Sequence, residues 1–273
     1  SKIEDVSKWF YVPYWQREQI ATHIPKLNNE NILLLAEDTS FTKNLVRRLE
    51  KLNANVTVIA SKDIDLDNKK SFIDLLNKLD SKKLYPKVVM HLWCLANDSN
   101  VSTDVMQKLG LFSLVSLCKA SILVKQDVDF HLSIIADKIT NVSGNELVNP
   151  DKSTLLGIEQ VLPKEHDKAN CQLIDIDLNI KDNLNINAIL HELANKKTSD
   201  VAIRGMRRFV KSYVRQELTE DVLNESMLAP NKNYLIIGGL GNFGMELSEF
   251  IGAVNKGNIF LTSRMNFPKQ DNW

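Results

Sequence analysis

Three glycines in the spacing G-x-G-x-x-G, Gly239, Gly241 and Gly244, with Leu240, Asn242 and Phe243 between them, form the most chemically specific pattern in the sequence. The spacing suits the phosphates of a dinucleotide, and each glycine has a physical task. One permits a tight turn, the next lets the backbone approach a pyrophosphate with no Cβ in the way, and the third lets a helix pack closely on a strand. The helix N-terminus then offers N–H groups and the positive end of its dipole. The surrounding pattern supplies the context this chemistry requires. Tyr234-Leu235-Ile236-Ile237 reads as a strand leading into the turn, and Phe243, Leu247, Phe250, Ile251 and Val254 recur at helical spacing behind it. Asn258 to Thr262 reads as the following strand and ends in Ser263-Arg264. Arg264 stands where an acidic residue would hold the ribose hydroxyls of NAD and where an arginine would hold the 2′-phosphate of NADP. The pattern predicts NADPH in preference to NADH, with Gly239, Leu240, Gly241, Asn242, Phe243, Gly244, Ser263 and Arg264 as the cofactor-binding set.

Other residues of reactive type are read as structural. His131, in Phe130-His131-Leu132-Ser133, alternates with apolar neighbours and has no nucleophile or orienting carboxylate nearby in sequence. Asp175 and Asp177 share a strand face but no further ligands accompany them, and His23, His91, His131, His166 and His191 are dispersed, so no metal site is expected. Cys94, Cys118 and Cys171 lie far apart in apolar segments, as buried reduced thiols of a cytoplasmic protein would. Trp9, Tyr11, Tyr14 and Trp15 suggest an edge strand packed on the core more than a stacking platform for bases.

The elements that must carry the glycine turn follow from periodicity. From Asn31 onward, short runs rich in Val, Ile and Leu alternate with amphipathic stretches, which predicts an α/β fold of Rossmann-like parallel sheets with crossover helices. Ile32 to Ala36 is a first strand. Phe41, Leu45, Val46, Leu49 and Leu52 mark a helix behind a Thr39 or Ser40 cap, and Asn55 to Ala60 is a second strand. Further alternation gives a helix at Phe72 to Leu79, a strand at Lys87 to Leu95, a long helix from Thr103 to Val124 and a strand at His131 to Ile135. A helix near Ser153 to Leu162, a strand at Cys171 to Leu178, a helix at Ile186 to Ala194 and a strand beginning at Asp200 complete the run. The first strand is followed by Glu37-Asp38-Thr39-Ser40, with two carboxylates and no glycine, so this opening unit is expected to bind no cofactor. The polar composition near Thr219 to Lys232 places a linker at 219–232, between a cofactor-free lobe at 1–218 and the start of a cofactor-binding lobe at 233–273.

Composition narrows the function further. At 273 residues the chain fits two modest domains, taking about 150 residues per domain. Hydrophobic residues make up 44% and charged residues 25%, which excludes disordered and fibrous classes. Thirty-four basic residues balance thirty-four acidic ones for a net charge of +0, so no global field draws the chain to nucleic acid or an anionic membrane. The apolar run Leu109 to Val124 falls short of the roughly 20 residues that span a bilayer and is expected to be a buried helix. With Ser1 in place of Met and Trp273 just past a strand-like segment, both ends are expected to be cut from a longer chain.

The ordered set of these segments resembles the ketoreductase region of modular polyketide synthases, over nearly the whole chain. Phe10-Tyr11-Val12-Pro13-Tyr14-Trp15 is similar to the aromatic N-terminal strand of such domains, and Thr103-Asp104-Val105 through Leu111-Phe112-Ser113-Leu114 to the long helix of their non-catalytic lobe. Ile139-Thr140 with Leu155-Leu156-Gly157, then Cys171 to Asp177 and Val201 to Val210, match later strands in order and spacing. Tyr234 to Gly241 and Leu261-Thr262-Ser263-Arg264 resemble the opening of the cofactor-binding lobe. The resemblance implies two short-chain-dehydrogenase-like lobes, the first structural and the second binding NADPH. It implies reduction of a β-keto group on an acyl chain tethered to acyl carrier protein, among neighbouring synthase domains. The lysine, serine, tyrosine and asparagine that act on the ketone in that family lie beyond Trp273, so no catalytic residue is expected here, and neither Tyr213 nor Ser226 fills the role. Ile237 replaces a usual threonine and Phe243 a smaller aliphatic residue, which predicts weakened but retained binding. A non-catalytic scaffold domain, or a stand-alone NADP-binding protein, are the alternatives.

Overall fold

A computed structural model describes residues 4–19, 26–95, 101–195, 200–218, 228, 231–254 and 257–264. The chain divides into two compact units, one spanning Pro13–Val214 and the other combining 1–12 with 215–273. Most of the expected 219–232 linker, including Ser226, lies outside the described residues.

An eight-stranded sheet organises the larger unit. Its strands are β1 (Tyr11–Glu18), β2 (Asn31–Leu35), β3 (Asn55–Ile59), β4 (Val88–His91), β5 (Phe130–Asp137), β6 (Ala169–Ile176), β7 (Val201–Arg204) and β8 (Arg207–Arg215), in the order β1-β8-β7-β6-β5-β4-β2-β3. Strands β2 to β7 are parallel and β8 returns antiparallel to β7. The α/β expectation therefore holds. Helices α1 (Ser40–Lys51), α2 (Lys69–Ser81), α3 (Thr103–Gln107), α4 (Ser113–Val124), α5 (Leu155–Glu165) and α6 (Asp182–Asn195) fill the crossovers. Because strand side chains alternate, Leu33 and Leu35 join one core with Phe72 of α2, Leu114 and Leu117 of α4 and Leu155 of α5. Ile32 and Leu34 join the other, with Leu45 and Leu49 of α1 and Ile186 and Ile189 of α6. Each such buried side chain contributes about 1.5–3 kcal/mol, so the sheet is fixed from both sides. Thr39 caps α1 as expected, its Oγ1 accepting the Thr42 N–H at 3.1 Å.

Three segments depart from the sequence expectation. The long helix is interrupted: Lys108–Phe112 form a π-helical turn between α3 and α4. Gly110 sits there, and a Cβ on it would meet Cys94 Sγ at 3.0 Å and Leu155 Cδ2 at 3.1 Å. By length and composition Thr103–Val124 could cross a membrane, since the apolar stretch is longer than the Leu109 to Val124 run alone. In the fold, α4 is nevertheless a core helix, with Leu114, Leu117, Cys118 and Ala120 buried. The run beginning at Asp200 is a hairpin, β7 and β8 joined through Gly205-Met206, because β-branched and aromatic residues continue across the turn. The aromatic N-terminal strand does lie at a sheet edge, but Tyr11 and Tyr14 are exposed and do not pack on the core.

In the smaller unit, β9 (Tyr234–Ile237), α7 (Asn242–Val254) and β10 (Ile259–Thr262) repeat the β2-α1-β3 arrangement, again with parallel strands. Ile237 pairs with Thr262, as Leu35 pairs with Ile59.

Candidate functional site

The turn between β9 and α7 is shaped by its glycines. Gly238 has φ +80°, a left-handed conformation that side chains resist. The N–H groups of Gly238 and Gly239 both donate to Thr262 O at 2.9 Å, tying the turn to the end of β10. A Cβ on Gly239 would lie 2.7 Å from Leu261 Cδ2. One on Gly244 would lie 2.5 Å from Gly239 Cα and 2.6 Å from Gly238 O, so α7 starts directly against the turn. Gly241 differs from both. Its N–H donates to Gly238 O at 3.0 Å, yet a Cβ there would touch only that same oxygen, at 3.4 Å, with open space beyond. Met245 N–H donates to Gly241 O at 2.9 Å, which closes the first turn of α7, and the earliest N–H groups of a helix have no intrahelical acceptor.

The parallel pairing brings the expected residues to one end of the two strands. Ser263 and Arg264 follow Thr262 directly and leave β10 beside the glycine turn, one strand spacing or about 4.8 Å away. Gly239 and Gly244 are buried, Leu240 is half-buried, and Gly241, Asn242, Phe243, Ser263 and Arg264 are exposed. Phe243 is 94% exposed, so its ring packs neither beneath the helix nor against the turn; Ile237 is 84% exposed. The residues present fit a pyrophosphate on the Gly241 side of the turn, where backbone could approach closely.

The corresponding place in the larger unit has the same layout with opposite chemistry. Counted from the strand end, Glu37 stands where Gly239 does, Thr39 where Gly241 does and Thr42 where Gly244 does. Glu37 Oε1 accepts the Ser61 N–H at 3.1 Å, and Asp38 pairs with Lys43 at 2.9 Å. The strand order reverses direction between β2 and β4, where an open α/β sheet ordinarily offers its ligand crevice. Trp93, one residue removed from β4, is fully buried there, and its Nε1–H donates to Ile59 O at 3.2 Å across the end of β2. Leu92 N–H donates to Leu35 O at 2.7 Å beside it. The crevice is closed by an indole. Sequence reasoning found the missing glycines but not this plug; its one signal was a bulky aromatic near the end of the expected Lys87 to Leu95 strand, which in the structure stops at His91.

The remaining reactive side chains serve the core. His131 Nε2 lies 3.1 Å from Ser133 Oγ, both buried. Asp175 Oδ2 accepts from Thr140 N–H and from Arg204 Nη2 at 2.9 and 2.8 Å, a structural ion pair. That arginine also meets Glu146, and Asp137 meets the fully buried Lys152 at 2.8 Å, so Arg204, Glu146 and Asp137, which line a cavity of about 490 Å³ at the ends of β5 to β7, are engaged in ion pairs within the protein. His91 and Ser113 approach to 3.1 Å like a base and nucleophile, but both are inaccessible and burial pushes the imidazole down to about 3. Burial pushes the Cys94 and Cys118 thiols up to about 12 and Cys171 well above its ordinary value. Among the described residues, no group of three or more His, Cys, Asp and Glu could hold a metal.

A family described as beta-ketoacyl synthase-like, N-terminal matches residues 30–194, the run from β2 to α6. Among curated proteins, the chain is 22% identical over 248 residues to 6-methylsalicylic acid synthase of Aspergillus terreus (strain NIH 2624 / FGSC A1156), covering 90% of this chain and 13% of that protein. It is 28% identical over 127 residues to one component of the phenolphthiocerol/phthiocerol polyketide synthase of Mycobacterium tuberculosis (strain CDC 1551 / Oshkosh), covering 45% of this chain and 7% of that one. The chain thus spans a small part of these relatives. An N-terminal ketoreductase from the macrolactin assembly line has the same fold at TM-score 0.73 and 17% identity, over 96% of this chain and 55% of that one. The first ketoreductase of the tylosin PKS superposes at TM-score 0.67 and 21% identity, over 94% and 51%.

Proposed function

This chain belongs to the beta-ketoacyl synthase-like, N-terminal family, and on that footing we propose that it is the structural lobe of a polyketide synthase ketoreductase together with the first part of its NADPH-binding lobe. The observation that carries the reading is the asymmetry between the two strand-turn-helix units. One has its crevice filled by Trp93 and its turn lined with Glu37 and Asp38, and the other presents an open Gly241 backbone beside Arg264. Gly239 and Gly244 bring α7 against the turn, Gly241 leaves room for a pyrophosphate, and the exposed Arg264 offers a bidentate partner for a 2′-phosphate. NADPH, when bound, supplies hydride; the chain's own residues bind and orient it. The substrate in this reading is a β-ketoacyl chain on acyl carrier protein, reduced to the β-hydroxyacyl form, with other synthase domains as neighbours and the cytoplasm as the setting.

Condensing chemistry is the reading that the family's description invites and the residues disfavour. Forming an acyl-enzyme thioester needs a reactive thiolate, and all three cysteines are buried with raised thiol pKa values. A fluorescence titration tests the proposal: NADPH binds the chain saturably, and Gly241→Ala, whose Cβ projects into the space assigned to the pyrophosphate, lowers affinity at least tenfold with an unchanged circular dichroism spectrum. Equal affinity in the variant would count against the site.

A further inference from the structure

A second cluster, remote in sequence from the glycine turn, lies where α5 meets the β7–β8 hairpin. Glu159 of α5 and Asp200, just before β7, are both at least nine-tenths buried and line the same cavity of about 440 Å³, together with Lys164, Lys211 and Tyr213. Lys211 of β8 approaches Asp200 Oδ2 at 3.4 Å, and its N–H donates to Asp200 O at 3.1 Å. Among the described residues, no amide, hydroxyl or ammonium group donates a hydrogen bond to the buried Asp200 Oδ1. The Glu159 carboxyl is within hydrogen-bonding reach of Asp200. Two ionised carboxylates in that position would repel one another in a poorly solvated site, and a proton on one of them converts the repulsion into a hydrogen bond.

We propose that Glu159 and Asp200 share one proton, and that this proton latches the β7–β8 hairpin onto α5. Glu159 is the donor and Asp200, whose Oδ2 lies 3.4 Å from Lys211 Nζ, is the acceptor. The groups facing the pair are Lys164 from α5, Lys211 and the Tyr213 side chain from β8, and the Cys171 thiol from β6. The lysines favour the ionised form of Glu159, but burial first and then the Asp200 charge outweigh them and push the Glu159 carboxyl up to about 7. The folded value lies above the ordinary glutamate value of 4.5, so the folded state holds the proton more tightly than the unfolded chain does. The latch is complete below pH 4.5, weakens as pH rises toward 7 and is lost above it. Release would loosen the strand through which the chain leaves the larger unit.

The test is a set of thermal melts of the full chain between pH 5 and 8, alongside Glu159→Gln, which keeps a donor toward Asp200 and cannot ionise. We expect the melting temperature of the unaltered chain to fall by roughly 5 °C more than that of Glu159→Gln across this range. Parallel profiles would overturn the proposal. Should Glu159→Gln fail to fold, carboxyl carbon NMR of the unaltered chain decides: a Glu159 midpoint near 7 supports the latch, and one in the ordinary glutamate range refutes it.

Discussion

Gly244 and Gly241 are the same residue type for opposite reasons, and substitution separates them. A Cβ at Gly244 would sit 2.5 Å from Gly239 Cα, backbone against backbone, with no flexible side chain to move aside. Gly244→Ala should therefore lower the stability of the smaller unit by about 1–3 kcal/mol, read as an earlier denaturant midpoint. Gly241→Ala should leave that midpoint within about 0.5 kcal/mol, because its Cβ meets one atom at 3.4 Å, and should act on ligand affinity alone. The reverse ranking would mean that the turn is built differently. The glycine turn was legible because few residue types satisfy a left-handed turn or a close helix start, and Gly238 and Gly244 meet those demands in the structure. Asp200 and Glu159 were not legible. They lie forty-one positions apart, and only the packing of α5 on the sheet makes neighbours of them.

At the scale of elements, closure of the first crevice depends on how the end of β4 packs across β2 toward β3. Trp93 bridges them through its bond to Ile59 O and stacks its edge near His91, with ring centroids 5.2 Å apart. Trp93→Ala should cost about 3–5 kcal/mol in chemical denaturation, since it leaves an indole-sized cavity at a fully buried position. A loss below 1 kcal/mol would show that the indole is peripheral to the fold. The strands and helices of this unit were readable from their two- and 3.6-residue periods, as in Ile32 to Leu35 and Leu45 to Leu49. The π turn at Lys108–Phe112 was not, because it widens the helix without changing which residues are apolar. Tyr11 and Tyr14 misled for a related reason: strand propensity places aromatic residues in a sheet but does not say whether another layer covers them.

For the whole molecule, balanced charge makes recognition a local matter. With a net charge of +0, the proposed preference for NADPH comes from Arg264 at an exposed strand end and not from a long-range field. An exposed ion pair is screened by salt, so raising ionic strength from about 0.05 to 0.5 M should weaken NADPH binding several-fold and NADH binding much less. Equal salt dependence would place the 2′-phosphate elsewhere. The same localisation makes one substitution the most direct test of the account. Arg264→Asp exchanges a partner for the 2′-phosphate for a repulsive carboxylate, at an exposed position whose side chain the fold does not need. In paired titrations of the full chain, the account predicts that NADPH affinity falls by at least about 30-fold, some 2 kcal/mol, while NADH affinity changes less than threefold. Equal losses for both cofactors, or no loss for either, would contradict it.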